Sequence, residues 1–137
     1  MINLQLFLGA ILAAIAVGIG ALGSHRMPGY LAAKGFDEAK IEKRLDQCET
    51  AVRYQMFHCL AVVAMSLSNT TDERRGFRVA SWLMMVGVFL FSGGIYGIVF
   101  FEAPTHGFVP FGGLAFIAGW IVLALSAWLR RSEQKQG

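Results

Sequence analysis

The sequence predicts an all-helical integral membrane protein, on three observations. Of its 137 residues, 55% are hydrophobic and 15% charged, with a mean hydropathy of +0.54. The 12 Lys and Arg and 9 Asp and Glu are spaced so that 1–25, 54–71, 79–101 and 103–129 carry no charge. A helix that crosses a bilayer needs about 20 predominantly apolar residues, and each stretch is of that order. Third, Pro28, Pro104 and Pro110 all lie outside or at the edges of the spans 4–22, 51–68, 79–101 and 111–129 that these runs suggest, where helices start and stop.

These counts exclude an ordinary soluble domain, a disordered chain and a disulfide-rich secreted module. Four spans of about 20 residues take up most of the chain, so a single membrane domain covers 1–137. The formal charge of +3 fits orientation in a membrane and contact with anionic lipid better than nucleic-acid binding. Cys48 and Cys59 form no CxxC pattern and read as free thiols.

The first span is expected over 4–22. No Lys or Arg precedes it and the apolar run is long, so it reads as a true span rather than a cleaved signal. Small residues recur at four-residue spacing, as in Gly9 and Ala13, which lets helix backbones approach closely. Packing within one bundle is favoured over a dimer face. Gly23 to Gly29 contains breakers, and His25 sits at the helix C-terminus, where a protonated imidazole suits the dipole.

From Asp37 the pattern changes. Ile41, Leu45, Cys48 and Val52 form an amphipathic stripe, so a helix is predicted over 37–52 with Asp37 as N-cap. Nothing breaks it before the second span, 51–68. A continuous helix to Leu67 would outreach a hydrocarbon core of about 30 Å, so its first turns should project into water. The second span is the least hydrophobic. Tyr54, Gln55, His58, Cys59 and Ser66 share one arc of the helix, which should turn inward. Arg53 points elsewhere, toward an i−4 ion pair with Glu49.

The third span, 79–101, carries Gly93-xxx-Gly97, with Ser92 and Tyr96 one position earlier. The fourth, 111–129, carries Ala115-xxx-Gly119 and ends at Arg130-Arg131. All these small residues are candidates for helix packing. With four spans, the 69–78 loop and the C-terminal tail share a side and are basic, whereas 101–110 has no Lys or Arg. That places both termini in the cytoplasm. The basic 23–53 segment then lies opposite, so a three-span arrangement, with the second helix skimming the surface, competes.

The sequence has no phosphate loop, nucleophile elbow, HExxH or dinucleotide fingerprint, and no Asp or Glu at mid-depth of a span. No catalytic residue, metal ligand or cofactor is assigned, and an enzyme is not expected. The candidate polar cluster is His25, Tyr54, Gln55 and His58. It reads first as structural glue, second as a path for a small solute, proton or lipid, and third as a haem or metal site with two imidazole ligands.

Four segments then carry a resemblance: Gly20-Ala21-Leu22-Gly23-Ser24-His25; Glu49-Thr50-Ala51-Val52-Arg53-Tyr54-Gln55-Met56-Phe57-His58; Phe91-Ser92-Gly93-Gly94-Ile95-Tyr96; and Pro110 to Trp120. In order and over nearly the whole chain, they resemble the YgdD-like, transmembrane protein 256-like family, domain of unknown function family 423. Ser24, Arg26-Met27 and Cys59 depart from its usual residues. The resemblance implies a four-helix bundle in a bacterial cell inner membrane, and it brings no activity, substrate or cofactor. The expected role is an accessory or assembly module. Its partners would be the lipid bilayer and a second copy or a larger membrane complex, not nucleic acid.

Overall fold

A computed structural model describes residues 3–68 and 74–133, and among these there is no strand. α1 is Leu4–His25, started by the Asn3 side chain, which accepts from the Leu6 N–H at 3.3 Å. The breaker-rich stretch predicted to be a loop instead holds a short helix, α2, Met27–Ala33. Pro28 lies in its first turn, where a missing N–H costs nothing, so it starts a helix as readily as it ends one. Gly35, at φ +82°, turns the chain into α3.

α3 runs unbroken over Glu38–Leu67, about 45 Å, capped by the Asp37 carboxylate accepting from Lys40 N–H at 2.9 Å. α4, Arg74–Gly87, passes through a π-helical turn, Val88–Ser92, into α5, Gly93–Phe101. After a 3₁₀ turn at Thr105–Gly107, α6 runs over Val109–Glu133 with Pro110 in its first turn.

The helices form two antiparallel pairs. In the first, Gly9 of α1 faces Val62 of α3, Gly20 faces Val52 and Gly23 faces Cys48. In the second, Gly76 of α4 faces Ser126 of α6, Gly87 faces Phe116 and Gly94 of α5 faces Val109. α3 joins the pairs by packing antiparallel against α4 and α5, while α1 and α6 share no extended interface. The contacts order the helices as a row, α1, α3, α4–α5 and α6, in which side chains of α3 also touch α6.

Three helical stretches are long and apolar enough to cross a membrane by length and composition: Leu4–His25, Arg75–Phe101 and Thr105–Leu129. α3 is not among them, because its first half is charged and its second half holds Arg53, Tyr54, Gln55 and His58. The buried interior divides by depth. Met27, Leu31, Cys48, Ile95 and Val99 pack at one end, Cys59, Val88 and Phe116 in the middle, and Val62, Ala80 and Met84 toward the other end.

Candidate functional site

The inward face of α3 carries the polar residues of the mid-section. Gln55 is 2% exposed and His58 6%. Gln55 Nε2 donates to the Leu12 carbonyl of α1 at 2.7 Å, and its Oε1 accepts from the Tyr96 hydroxyl of α5 at 2.9 Å. One side chain thus ties three helices together. The Leu12 carbonyl spends its second lone pair on this bond, so α1 keeps its own helical ladder. One turn earlier on α3, the Ala51 carbonyl accepts from Ser92 Oγ of the π-turn at 2.9 Å.

His58 connects α3 to α6. Trp120 Nε1 donates to His58 Nε2 at 3.2 Å, and His58 Nδ1 lies 2.7 Å from the Tyr54 carbonyl. An indole only donates and a carbonyl only accepts. The two bonds therefore define a neutral imidazole with its proton on Nδ1. The ring stacks on Phe116 with centroids 3.5 Å apart and 14° between planes. Phe91 meets Phe116 edge-on at 5.8 Å, and Tyr54 packs on Phe91 at 4.8 Å. Tyr54 itself is 42% exposed, at the edge of the face rather than inside it.

The structure brings together Tyr54, Gln55 and His58 and leaves His25 out. His25 is exposed at the end of α1, thirteen residues beyond Leu12, the residue opposite Gln55. At 1.5 Å per residue it lies about 20 Å away along the row. The antiparallel register causes this: Gly23 is level with Cys48, near the charged end of α3. Two imidazoles therefore cannot meet at one centre. His58 alone fits a metal or haem iron poorly, since both ring nitrogens are engaged. Among the described residues no group of three or more His, Cys, Asp or Glu is placed to hold a metal ion. Cys48 and Cys59 are free and buried.

Glu49 and Arg53 form their i,i+4 ion pair on the exposed side of α3. Of the packing residues, Gly9 meets Val62 and Val63, Ala13 joins the cluster around Cys59 and Phe116, and Gly119 meets Met84 and Ala80. Ala115 is half-buried on α6. Gly93 and Gly97 do not form a helix–helix seam. Gly93 is exposed, and Gly97 faces Thr105 of the turn. The π-turn explains the shift. Gly93 N–H bonds back to the Val88 carbonyl, five residues earlier, and the extra residue turns the following helix by about 100°. Gly94 takes the seam position instead, with Val109 Cγ2 2.9 Å from where a Cβ would sit.

Nothing local in the sequence marks three residues as partners in this geometry. Tyr96 and Trp120 complete the hydrogen bonds of Gln55 and His58 from helices distant in sequence. Arg44, one of several charges on the polar side of the amphipathic stripe, donates to the carbonyls of Ile98 and Val99 at 3.0 and 2.8 Å. It caps the last turn of α5, stacks on Phe36 and reaches Glu102. Only the end of α5 reveals that role.

Residues 19–113 match the model of the DUF423 family, described as a protein of unknown function. The chain belongs to this family. Other members include a UPF0382 membrane protein of Staphylococcus haemolyticus, 35% identical over 92% of this chain and 96% of the relative. The UPF0382 membrane protein YwdK of Bacillus subtilis is 34% identical over 89% and 94%. A UPF0382 membrane protein of Haemophilus influenzae is 34% identical over 96% and 99%. No solved structure matches the chain. The DUF423 chain is thus a membrane protein, by its relatives and its three long apolar helices. The family description attaches no activity to the arrangement around Gln55 and His58.

Proposed function

We propose that this chain is a non-enzymatic module of a bacterial inner membrane that spans it four times and assembles with a second copy or a larger membrane complex. The observation that carries this reading is the use of the polar groups on α3. Gln55 is committed to Leu12 and Tyr96, and His58 to Tyr54 and Trp120. Groups held in this way fix helix register rather than wait for a substrate. Neither side chain lines the cavities at the charged end of the row.

A fourth span is supported by the course of α3. From Cys48 onward it lies lengthwise beside α1 and α4, from Gly23 beside Cys48 at one end to Asn3 Nδ2 on the Ser66 carbonyl at the other. A helix lying on the surface cannot run antiparallel to two spanning helices over that distance. Basic residues in 74–78 and 130–131, against none in 101–110, favour cytoplasmic termini. Assembly is supported by the outer face of α1, where Ala10, Ala14 and Gly18 are exposed and nothing lies within 4 Å of a Cβ at Gly18.

Two measurements test the reading. Single cysteines placed at positions 37 and 68 should label from opposite sides of the membrane; labelling from one side removes the fourth span. Purification in mild detergent should retain a partner or a homo-oligomer, and Gly18→Leu should release it while helicity stays intact. A monomer throughout overturns the assembly role.

A further inference from the structure

The charged end of the row holds a groove that the reading above leaves unused. It lies between the first half of α3 and the α5–α6 turn, and it has two parts. The mouth, a cavity of about 330 Å³, is lined by Lys40, Lys43, Arg44, Glu102 and His106. The deeper part, about 380 Å³, is lined by Thr50, Ile95, Ile98, Val109 and Pro110, with Asp46 at its rim. The two share Gln47, Ile98 and His106, so they form one open cleft.

We propose that this cleft binds an anionic phospholipid, with the phosphate at the mouth and an acyl chain below; the proposal rests on the spanning arrangement. Depth is the first argument. The apolar stretch Arg75–Phe101 ends where the mouth begins, at Glu102, and Ile95 lies six residues, about 9 Å, deeper. Cations at headgroup level and aliphatic side chains beneath follow the order of chemistry along a phospholipid. Charge is the second argument. Three cations line the mouth; the carboxylates of the cleft are Glu102, which Lys34 and Arg44 already engage at 3.9 and 3.7 Å, and Asp46 at the rim of the deeper part. Among the described residues Lys43 has no ion-pair partner, and Lys40 meets only the neighbouring Asp37. Basic pockets beside spanning helices attract lipid phosphate in this way.

Native mass spectrometry in mild detergent tests it, with phosphatidylglycerol and phosphatidylcholine of identical chains as probes. The wild-type protein should retain phosphatidylglycerol about tenfold better than phosphatidylcholine. Lys40→Gln with Lys43→Gln should erase that preference, both side chains being exposed and outside the packing. Ile98→Trp, which fills the deeper part with the lysines intact, should lose both lipids. Equal retention of the two lipids, or a preference that survives the lysine changes, overturns the proposal. So does displacement of phosphatidylglycerol by millimolar inorganic phosphate, which would make the mouth an anion site only. Carbonate washing of vesicles carrying the same protein separates the readings. Release from the bilayer refutes the spans, whereas retention without lipid preference refutes the cleft alone.

Discussion

The two helix pairs are closed by glycines in different ways. Along α1 and α3, an added Cβ would meet the far ends of side chains: Val62 Cγ1 at 3.0 Å from Gly9, Val52 Cγ1 at 3.4 Å from Gly20 and Cys48 Sγ at 3.3 Å from Gly23. Along α4–α5 and α6 the approaches are tighter, to side chains at Gly76, Gly87, Gly94 and Gly119 and to backbone at Gly112. A Cβ at Gly112 runs into the Phe91 backbone nitrogen, Cα and Cβ; at Gly87 it runs into the Phe116 ring; at Gly119 it meets Met84 Cγ at 2.9 Å. Side-chain tips can yield by a few tenths of an ångström, and a backbone cannot. The first seam is therefore adjustable, and the second is fixed at Gly112. The fixed seam also carries Phe116 and Trp120, which hold His58.

The largest expected effect breaks the fixed seam. Gly112→Ala forces the π-turn and α6 apart at Phe91 and should cost about 3 kcal/mol or more, the upper end for overpacking. It should lower the thermal midpoint in detergent by many degrees; a midpoint within a degree of wild type would refute the contrast. Next is Gln55→Leu, which removes both hydrogen bonds and strands the Tyr96 hydroxyl. A loss of about 1–2 kcal/mol is expected. Adding Tyr96→Phe should recover part of it in a double-mutant cycle, and strict additivity would show that the two groups do not interact. Trp120→Phe keeps a ring against His58 and loses the indole N–H. It should cost about 0.6 kcal/mol, the average for a hydrogen bond between membrane helices.

Changes in the adjustable pair should be smaller still. Gly9→Ala sets a helix-propensity gain of up to about 1 kcal/mol against a tight approach to Val62, for a net change near zero. The smallest effect concerns the α3 cap. The Asp37 carboxyl is held below its ordinary value by the Lys40 backbone N–H, then by the Lys40 side chain. A depressed folded-state value stabilises the ionised form. The contribution is present above the unfolded value near ~3.9 and fades as pH falls through the folded one. The small deficit of Asp37→Ala, read by circular dichroism at neutral pH, should shrink toward pH 2. A deficit independent of pH would assign it to helix propensity instead.

Elements were legible where one local rule decided them. Charge-free runs give the three apolar helices, and the Asp37 cap followed by the Ile41, Leu45, Cys48 and Val52 stripe gives the start of α3. The polar arc of α3 gave Gln55 and His58, because periodicity places residues on a face. It could not give their partners. Tyr96 and Trp120 lie 41 and 62 residues from the groups they meet, and only the packing of the row sets those pairings. His25 failed as a cluster member for a related reason: residues on neighbouring helices meet only where the register allows, and Gly23 is level with Cys48 rather than His58. Gly93 and Gly97 still share a face, but the wide turn before them rotates that face out of the seam.

That wide turn lets one long rod serve two masters. Upstream of it, Gly87 and Met84 meet α6, and Ser81 reaches back to Met65 of α3. From its last residue onward, Ser92 and Tyr96 latch onto α3 while Gly94 admits Val109. A uniform spiral would carry only one of those alignments along its whole length. The single surplus residue works as a gear change, and a deletion within 88–92 would leave both halves well wound and out of mesh.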